Sequence, residues 1–247
     1  MLPASSAPLD LVYLFRHSMH GDRELLYSLR SVARHLPYIR KVWIFGDRPA
    51  FLTVDTSRVE HVPHAYLAPL LNLRLPVRND FLMLALASFL PDLAHEFVRF
   101  SDDYIVLEAV PRAALCTPRV LEDLSRVAVR GTSPFQQQLW RTYDLLREYG
   151  YPGYNFESHT PQPYTRKRVF EAFMAFRRLL SEERYGGMVS ATAIGNYAIR
   201  HSGLEFTWLG EARAGIYRQP PSQEEVAAAC RGKSFLNFDD AAWGPGR

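Results

Sequence analysis

Cysteine is nearly absent from this chain: its 247 residues hold two, Cys116 and Cys230. That count excludes a disulfide framework and a multi-cysteine zinc site, and it makes a reducing compartment, the cytoplasm, the expected location. A charge of one sign is missing too. Lys and Arg number 29 against 26 Asp and Glu, a net +3, too even a balance to mark a surface built for nucleic acid or membrane. Long apolar runs are lacking: the longest, Phe81 to Leu90, is about half of what a bilayer crossing needs. Met1 to Pro8 carries no basic stretch followed by an apolar run, so no secretory signal is expected. No G-x-G-x-x-G or Walker pattern occurs, which argues against a dinucleotide enzyme or a P-loop NTPase.

What is present is an ordinary globular composition, 47% hydrophobic and 22% charged, with a generous 13% of aromatic rings. A chain of this length buries a core without staples. With no repeats and no low-complexity linker, one domain over 1–247 is expected, its 10–110 portion forming one half and 111–247 the other.

Apolar runs at Leu11–Phe15, Lys41–Phe45, Arg58–Val62, Phe97–Phe100 and Ile105–Val110 read as strands. Helical spacing covers Arg23–His35, and a second helix is expected from Asn79 or Asp80 to Leu90, where Pro91 stops it. Strands alternating with helices predict an α/β fold with a largely parallel sheet flanked by helices. Farther on, helices are expected at Phe135–Tyr149, Arg166–Leu180 and Val189–Arg200, with a last strand at Ser234–Phe238. Residues 150–161, rich in Gly, Pro and aromatics, read as a functional loop in a helical C-terminal elaboration.

Several constellations bear on chemistry. Asp102-Asp103 follows an apolar strand, and ligands of open α/β sheets collect beyond such strand ends. Two adjacent carboxylates there suit Mg²⁺ or Mn²⁺ beside substrate phosphates, or else a capped, solvated turn. Arg16-His17 ends the first strand, and Asp22 opens the next helix as its expected N-cap; a helix start with an arginine makes a phosphate cradle. His159, in the irregular loop, has the chemistry of a general base. Asn237, Asp239 and Asp240 end the last strand and are candidates for a further metal or phosphate contact. The basic run Arg166-Lys167-Arg168 permits a nucleic-acid partner, with a solvated cationic face the favoured reading.

Residues 22–31 (Asp-Arg-Glu-Leu-Leu-Tyr-Ser-Leu-Arg-Ser) and 37–45 (Pro-Tyr-Ile-Arg-Lys-Val-Trp-Ile-Phe) resemble the ELxYSLRS…PWIRKIYI segment of the Stealth family. Those proteins are sugar-phosphate transferases of capsular polysaccharide synthesis and lysosomal-enzyme tagging. Leu75-Pro76-Val77-Arg78-Asn79 is similar to the family's Asn-containing helix start, Arg99–Tyr104 to its YFNDDFF block, and His159-Thr160-Pro161 to its HxP. The first strand here runs into Phe-Arg-His-Ser instead of the usual Trp-Val-Asp-Gly.

The resemblance implies a GT-A-like fold, a nucleotide-sugar donor (a UDP-sugar first among candidates) and a hydroxyl acceptor. On that basis Asp102, Asp103 and Asp240 are expected to hold Mg²⁺ or Mn²⁺. Arg16, His17, Asp22, Arg78 and Asn79 are expected to bind the donor, and His159 with Asp103 to serve catalysis. The alternatives are a non-catalytic nucleotide- or glycan-binding scaffold and a nucleic-acid-modifying glycosyltransferase.

Overall fold

The computed structural model describes residues 7–17, 21–217, 220–239 and 242. The first half runs β1 (Leu9–Phe15), α1 (Arg23–His35), β2 (Val42–Gly46), β3 (Val59–Val62), α2 (Asp80–Ala87), β4 (Glu96–Phe100) and β5 (Tyr104–Val106). The second half begins with α3 (Arg112–Leu115), β6 (Arg119–Val120), β7 (Glu122–Asp123), α4 (Pro134–Glu148) and β8 (Tyr154–Asn155). It goes on through β9 (Gln162–Thr165), α5 (Arg166–Phe176), α6 (Ser190–Ser202), β10 (Thr207–Trp208), β11 (Arg213–Ile216), α7 (Gln223–Cys230) and β12 (Phe235–Phe238).

The central sheet has the order β3-β2-β1-β4-β9; the first four strands are parallel and β9 is antiparallel to β4. Parallel strands are covered on both faces, which is why β1 and β2 are apolar almost throughout. The period of two then sorts β1. Leu11, Tyr13 and Phe15 enter the layer that holds Leu25 and Val32 of α1. Val12 enters the other, with α2, α5 and α6. Helix α2 is buried all round from Phe81 to Ala87, as a helix at the centre of a core must be. One fully buried carboxylate, Asp10, is satisfied by Arg40 (Nε, 2.8 Å), Trp43 Nε1 (3.0 Å) and the Ala94 N–H (2.9 Å).

Three expected elements end early, among them the helix expected to reach Leu180, which stops at Phe176. Helix α2 stops at Ala87 instead of Leu90, because Phe89 and Leu90 close tighter turns onto the carbonyls of Leu86 and Ala87. The strand expected to reach Val110 is confined to Tyr104–Val106, paired with β12. Strand β9 lies in what was expected to be the run-up to a helix. Its Pro163 reads as a breaker in sequence, yet on an edge strand a residue without an N–H is tolerated. Arg166 and Lys167 are not a free cationic cluster: Arg166 donates to the carbonyls of Ser88 (2.8 Å) and Leu93 (3.3 Å), and Lys167 pairs with Glu171 at 3.7 Å. No helix among the described residues is long and apolar enough to cross a membrane.

Candidate active-site cleft

The parallel strands β1 and β4 end at the same side of the sheet, and the chain leaving each supplies polar groups there. Arg16 and His17 follow β1; Asp102 and Asp103 come after β4. Together with the N-terminal turns of α2 and α6 and the end of β12, they line a cleft of about 560 Å³. This is the carboxyl-end position where open α/β sheets take ligands.

One wall is acidic. Asn237, buried on β12, donates from Nδ2 to Asp103 Oδ2 at 2.6 Å, and its own Oδ1 accepts from the Tyr217 hydroxyl at 2.5 Å. The other carboxylate oxygen, Asp103 Oδ1, is buried with no hydrogen-bond partner. Burial first, and the neighbouring Asp102 charge second, push the Asp103 carboxyl up to about 7 against the opposing Asn237 bond. A buried, unpartnered carboxylate oxygen beside a second carboxylate is a donor set that a hard divalent cation satisfies. Mg²⁺ commonly uses only one or two protein carboxylates, completed by water and substrate oxygens. Asp102 and Asp103 therefore fit such an ion. Among the described residues no cluster of three or more acidic, His or Cys ligands forms. Asp239 lines the cleft, and Asp240, expected as a further ligand, lies outside the described residues.

The floor is a buried charge cluster that sequence reasoning missed. Arg99 on β4 reaches Asp80 at 3.2 Å and Glu157 at 3.6 Å. Burial opposes the Arg99 charge, yet the two carboxylates more than offset it and hold the guanidinium protonated. Burial also pushes the Glu157 carboxyl up to about 7, although Arg99 pulls it down. Ser190, the first residue of α6, donates to the other Asp80 oxygen at 2.5 Å. The available signal was Arg99 itself: a charged residue inside Phe97-Val98-Arg99-Phe100 needs a partner or a function.

The other wall is cationic. Arg16, Arg78 and Arg184 line it, and Arg16 is anchored through Nη2 to the Val77 carbonyl at 3.1 Å. Burial, then the charges of Arg184 and Arg78, press the Arg16 guanidinium below its usual range, with Asp80 and Asp47 acting the other way.

The remaining expected residues work at one remove or sit elsewhere. Asp22 has a left-handed backbone (φ 62°) and its side chain caps no helix. Its carboxylate accepts from His17 Nδ1 at 2.9 Å and from the Ala50 N–H at 3.2 Å, so it orients His17. Asn79 is fully buried and caps α2 by accepting from the N–H groups of Phe81 and Leu82. Its Nδ2 donates to the carbonyls of Glu183 (3.1 Å) and Gly186 (3.0 Å), so its hydrogen-bonding capacity is spent on the protein. His159 is half-buried on a left-handed turn (φ 49°) and is not among the lining residues, whereas Glu157 is. Burial, with Arg213 and Arg99 nearby, brings the His159 imidazole down to about 4.

Comparison with known proteins bears on the half of the chain that supplies Arg16–Asp103. Residues 18–123 match the model of Stealth protein conserved region 2. Over that stretch the chain is similar to Stealth proteins. The matched region contains all of α1, the N-terminus of α2 and the aspartate pair. The chain is 31% identical over 110 residues to a capsular polysaccharide phosphotransferase of Aeromonas hydrophila, covering 42% of this chain and 30% of that protein. A capsular polysaccharide phosphotransferase of Haemophilus influenzae is 27% identical over 119 residues, 44% and 32% of the two chains. The alpha/beta subunits of a mouse N-acetylglucosamine-1-phosphotransferase are 32% identical over 84 residues, 33% of this chain and 7% of that one. The chain thus spans about a third of the length of these capsular relatives.

Proposed function

We propose that this chain is a metal-dependent transferase that moves a sugar phosphate from a nucleotide-diphosphosugar to an acceptor hydroxyl. The observation that carries the reading is what lines one cleft together: paired carboxylates with an unpartnered oxygen, and three arginines. That arrangement suits a diphosphate. The phosphotransferase names of the relatives support transfer at phosphorus.

Asp102 and Asp103 would hold Mg²⁺ or Mn²⁺, which supplies charge neutralisation on the diphosphate when bound. Arg16 and Arg78 would bind the phosphates, and His17, fixed by Asp22, would contact the nucleotide. Asn79 acts by holding the 183–186 backbone. The acceptor oxygen attacks the phosphorus that bears the sugar. The bond from that phosphorus to the bridging oxygen breaks, nucleoside monophosphate leaves, and the hydroxyl proton passes to a base on the 157–159 turn. Glu157 lines the cleft and is the group placed to take it; the role expected of His159 is tested beside it by His159→Asn.

The test is the product. Incubation with UDP-sugars, Mn²⁺ and oligosaccharide acceptors should release UMP. Accumulation of UDP instead would mean attack at the anomeric carbon and ordinary glycosyl transfer. Release of neither, with ligand-induced thermal stabilisation that survives Asp102→Asn plus Asp103→Asn, would replace the enzyme reading with a binding scaffold.

A further inference from the structure

We propose that the strap of residues 181–189 is the recognition element for the nucleoside diphosphate end of the donor, with Arg184 gripping its phosphates and the Tyr185 ring stacking on its base. The inference rests on the transferase reading and deepens it.

Three observations lead there. First, Arg184 joins Arg16 and Arg78 on one cleft wall, close enough that Arg184 and Arg78 repel the Arg16 charge. Among the described residues none of the three is in a salt bridge; the cleft's ion pairs belong to Arg99 and to His17 with Asp22. Three neighbouring guanidinium groups with no carboxylate at salt-bridge distance suit a multiply charged anion.

Second, Tyr185 lines the same cleft and is 40% exposed, while Phe135 and Phe238, the other lining rings, are less so. The Arg184 guanidinium lies over the Tyr185 ring, 5.1 Å from its centroid. An exposed ring joined to a cation matches a ligand with a flat ring at one end and phosphates beside it.

Third, the strap is fastened through its main chain. Asn79 Nδ2 holds the Glu183 and Gly186 carbonyls, Gln138 Nε2 holds Gly186 (2.9 Å), and Arg141 Nη1 holds the Tyr185 carbonyl (3.2 Å). Gly187 turns the strap at φ +63°, where an added Cβ would come within 2.9 Å of the Ser181 nitrogen. The backbone is fixed, and the side chains at 184 and 185 are presented to the cleft.

The experiment measures equilibrium binding of UDP, CDP, GDP and ADP, and of inorganic pyrophosphate, to the full chain with Mn²⁺. Tyr185→Leu should weaken the best-bound nucleotide roughly five- to a hundredfold, the range for losing one base–aromatic stack. It should leave pyrophosphate affinity within about twofold, and Tyr185→Phe should behave as wild type. Arg184→Gln should weaken nucleotide and pyrophosphate alike. A Tyr185→Leu protein that binds the nucleotide as wild type does, or that loses pyrophosphate equally, overturns the assignment while leaving the transferase reading in place. A wild-type protein that binds neither nucleotide nor pyrophosphate overturns both. Apart from its contact with the Arg184 guanidinium, the Tyr185 side chain fastens nothing in the strap among the described residues, so an unchanged melting temperature for Tyr185→Leu confirms that the readout is binding.

Discussion

Single side chains decide what the cleft tolerates. Glu157 holds its proton more tightly in the folded chain than the usual 4.5, at about 7. A group whose folded value is raised stabilises fully below its unfolded value and loses that contribution as pH climbs through the folded one. Glu157→Gln should therefore remove a decline in stability between about pH 4.5 and 7 that amounts to roughly 3 kcal/mol. Urea titrations of both proteins at pH 5 and pH 8 check it: equal slopes in the two would show that Glu157 is not the source. If Glu157 also receives the acceptor proton, kcat/KM should rise with pH through about 7. Asp103 makes a different prediction. A cation that binds only the folded chain raises stability by about 2.7 kcal/mol at a hundred times its Kd. Mn²⁺ should thus raise the wild-type melting temperature, and Asp102→Asn plus Asp103→Asn should abolish the response. An equal rise in the double variant would remove the metal from the aspartates.

At the scale of elements, one residue couples a helix to a loop. Asn79 closes the first turn of α2 and ties down the 183–186 backbone. Loss of the cap alone costs about 1 kcal/mol, and the Glu183 and Gly186 carbonyls each lose one of their donors besides. Asn79→Ala should cost about 2–3 kcal/mol in chemical denaturation. It should also make limited proteolysis cut within 181–189, a readout that a defect confined to α2 would not give. The elements were legible in proportion to their local signal. Helix α1 sits where apolar spacing and the Gly21-Asp22 break put it, and β1, β2 and β4 follow their apolar runs. The two-residue strands β6, β7, β8 and β10 carry no period, since two residues make no pattern. Strand β9 was concealed by its proline.

For the whole molecule, the site was half legible for the same reason. Arg16, His17, Arg78, Asp102 and Asp103 flank strongly patterned strands and a helix, and the fold brings all five into one cleft. Asp80, Glu157, Arg184, Tyr185 and Ser190 come from separate stretches that meet only after the second half of the chain folds back over the first. No local pattern announces such a meeting. The resemblance over residues 22–45 falls within the stretch that matches the Stealth model, and it was legible because the block is one helix, α1, and one strand, β2, each with its own regular spacing.

The placement of β9 has a consequence for how the protein is made. Strand β4 carries Arg99 and leads to the aspartates, and its far edge is covered only by residues 162–165. While a ribosome is still delivering residues before these, an apolar strand shows a bare row of amides and carbonyls to its surroundings, an invitation to intermolecular pairing. The nascent chain therefore passes through a window of vulnerability in which a chaperone has something to hold, and any truncation ahead of residue 165 leaves that window permanently open.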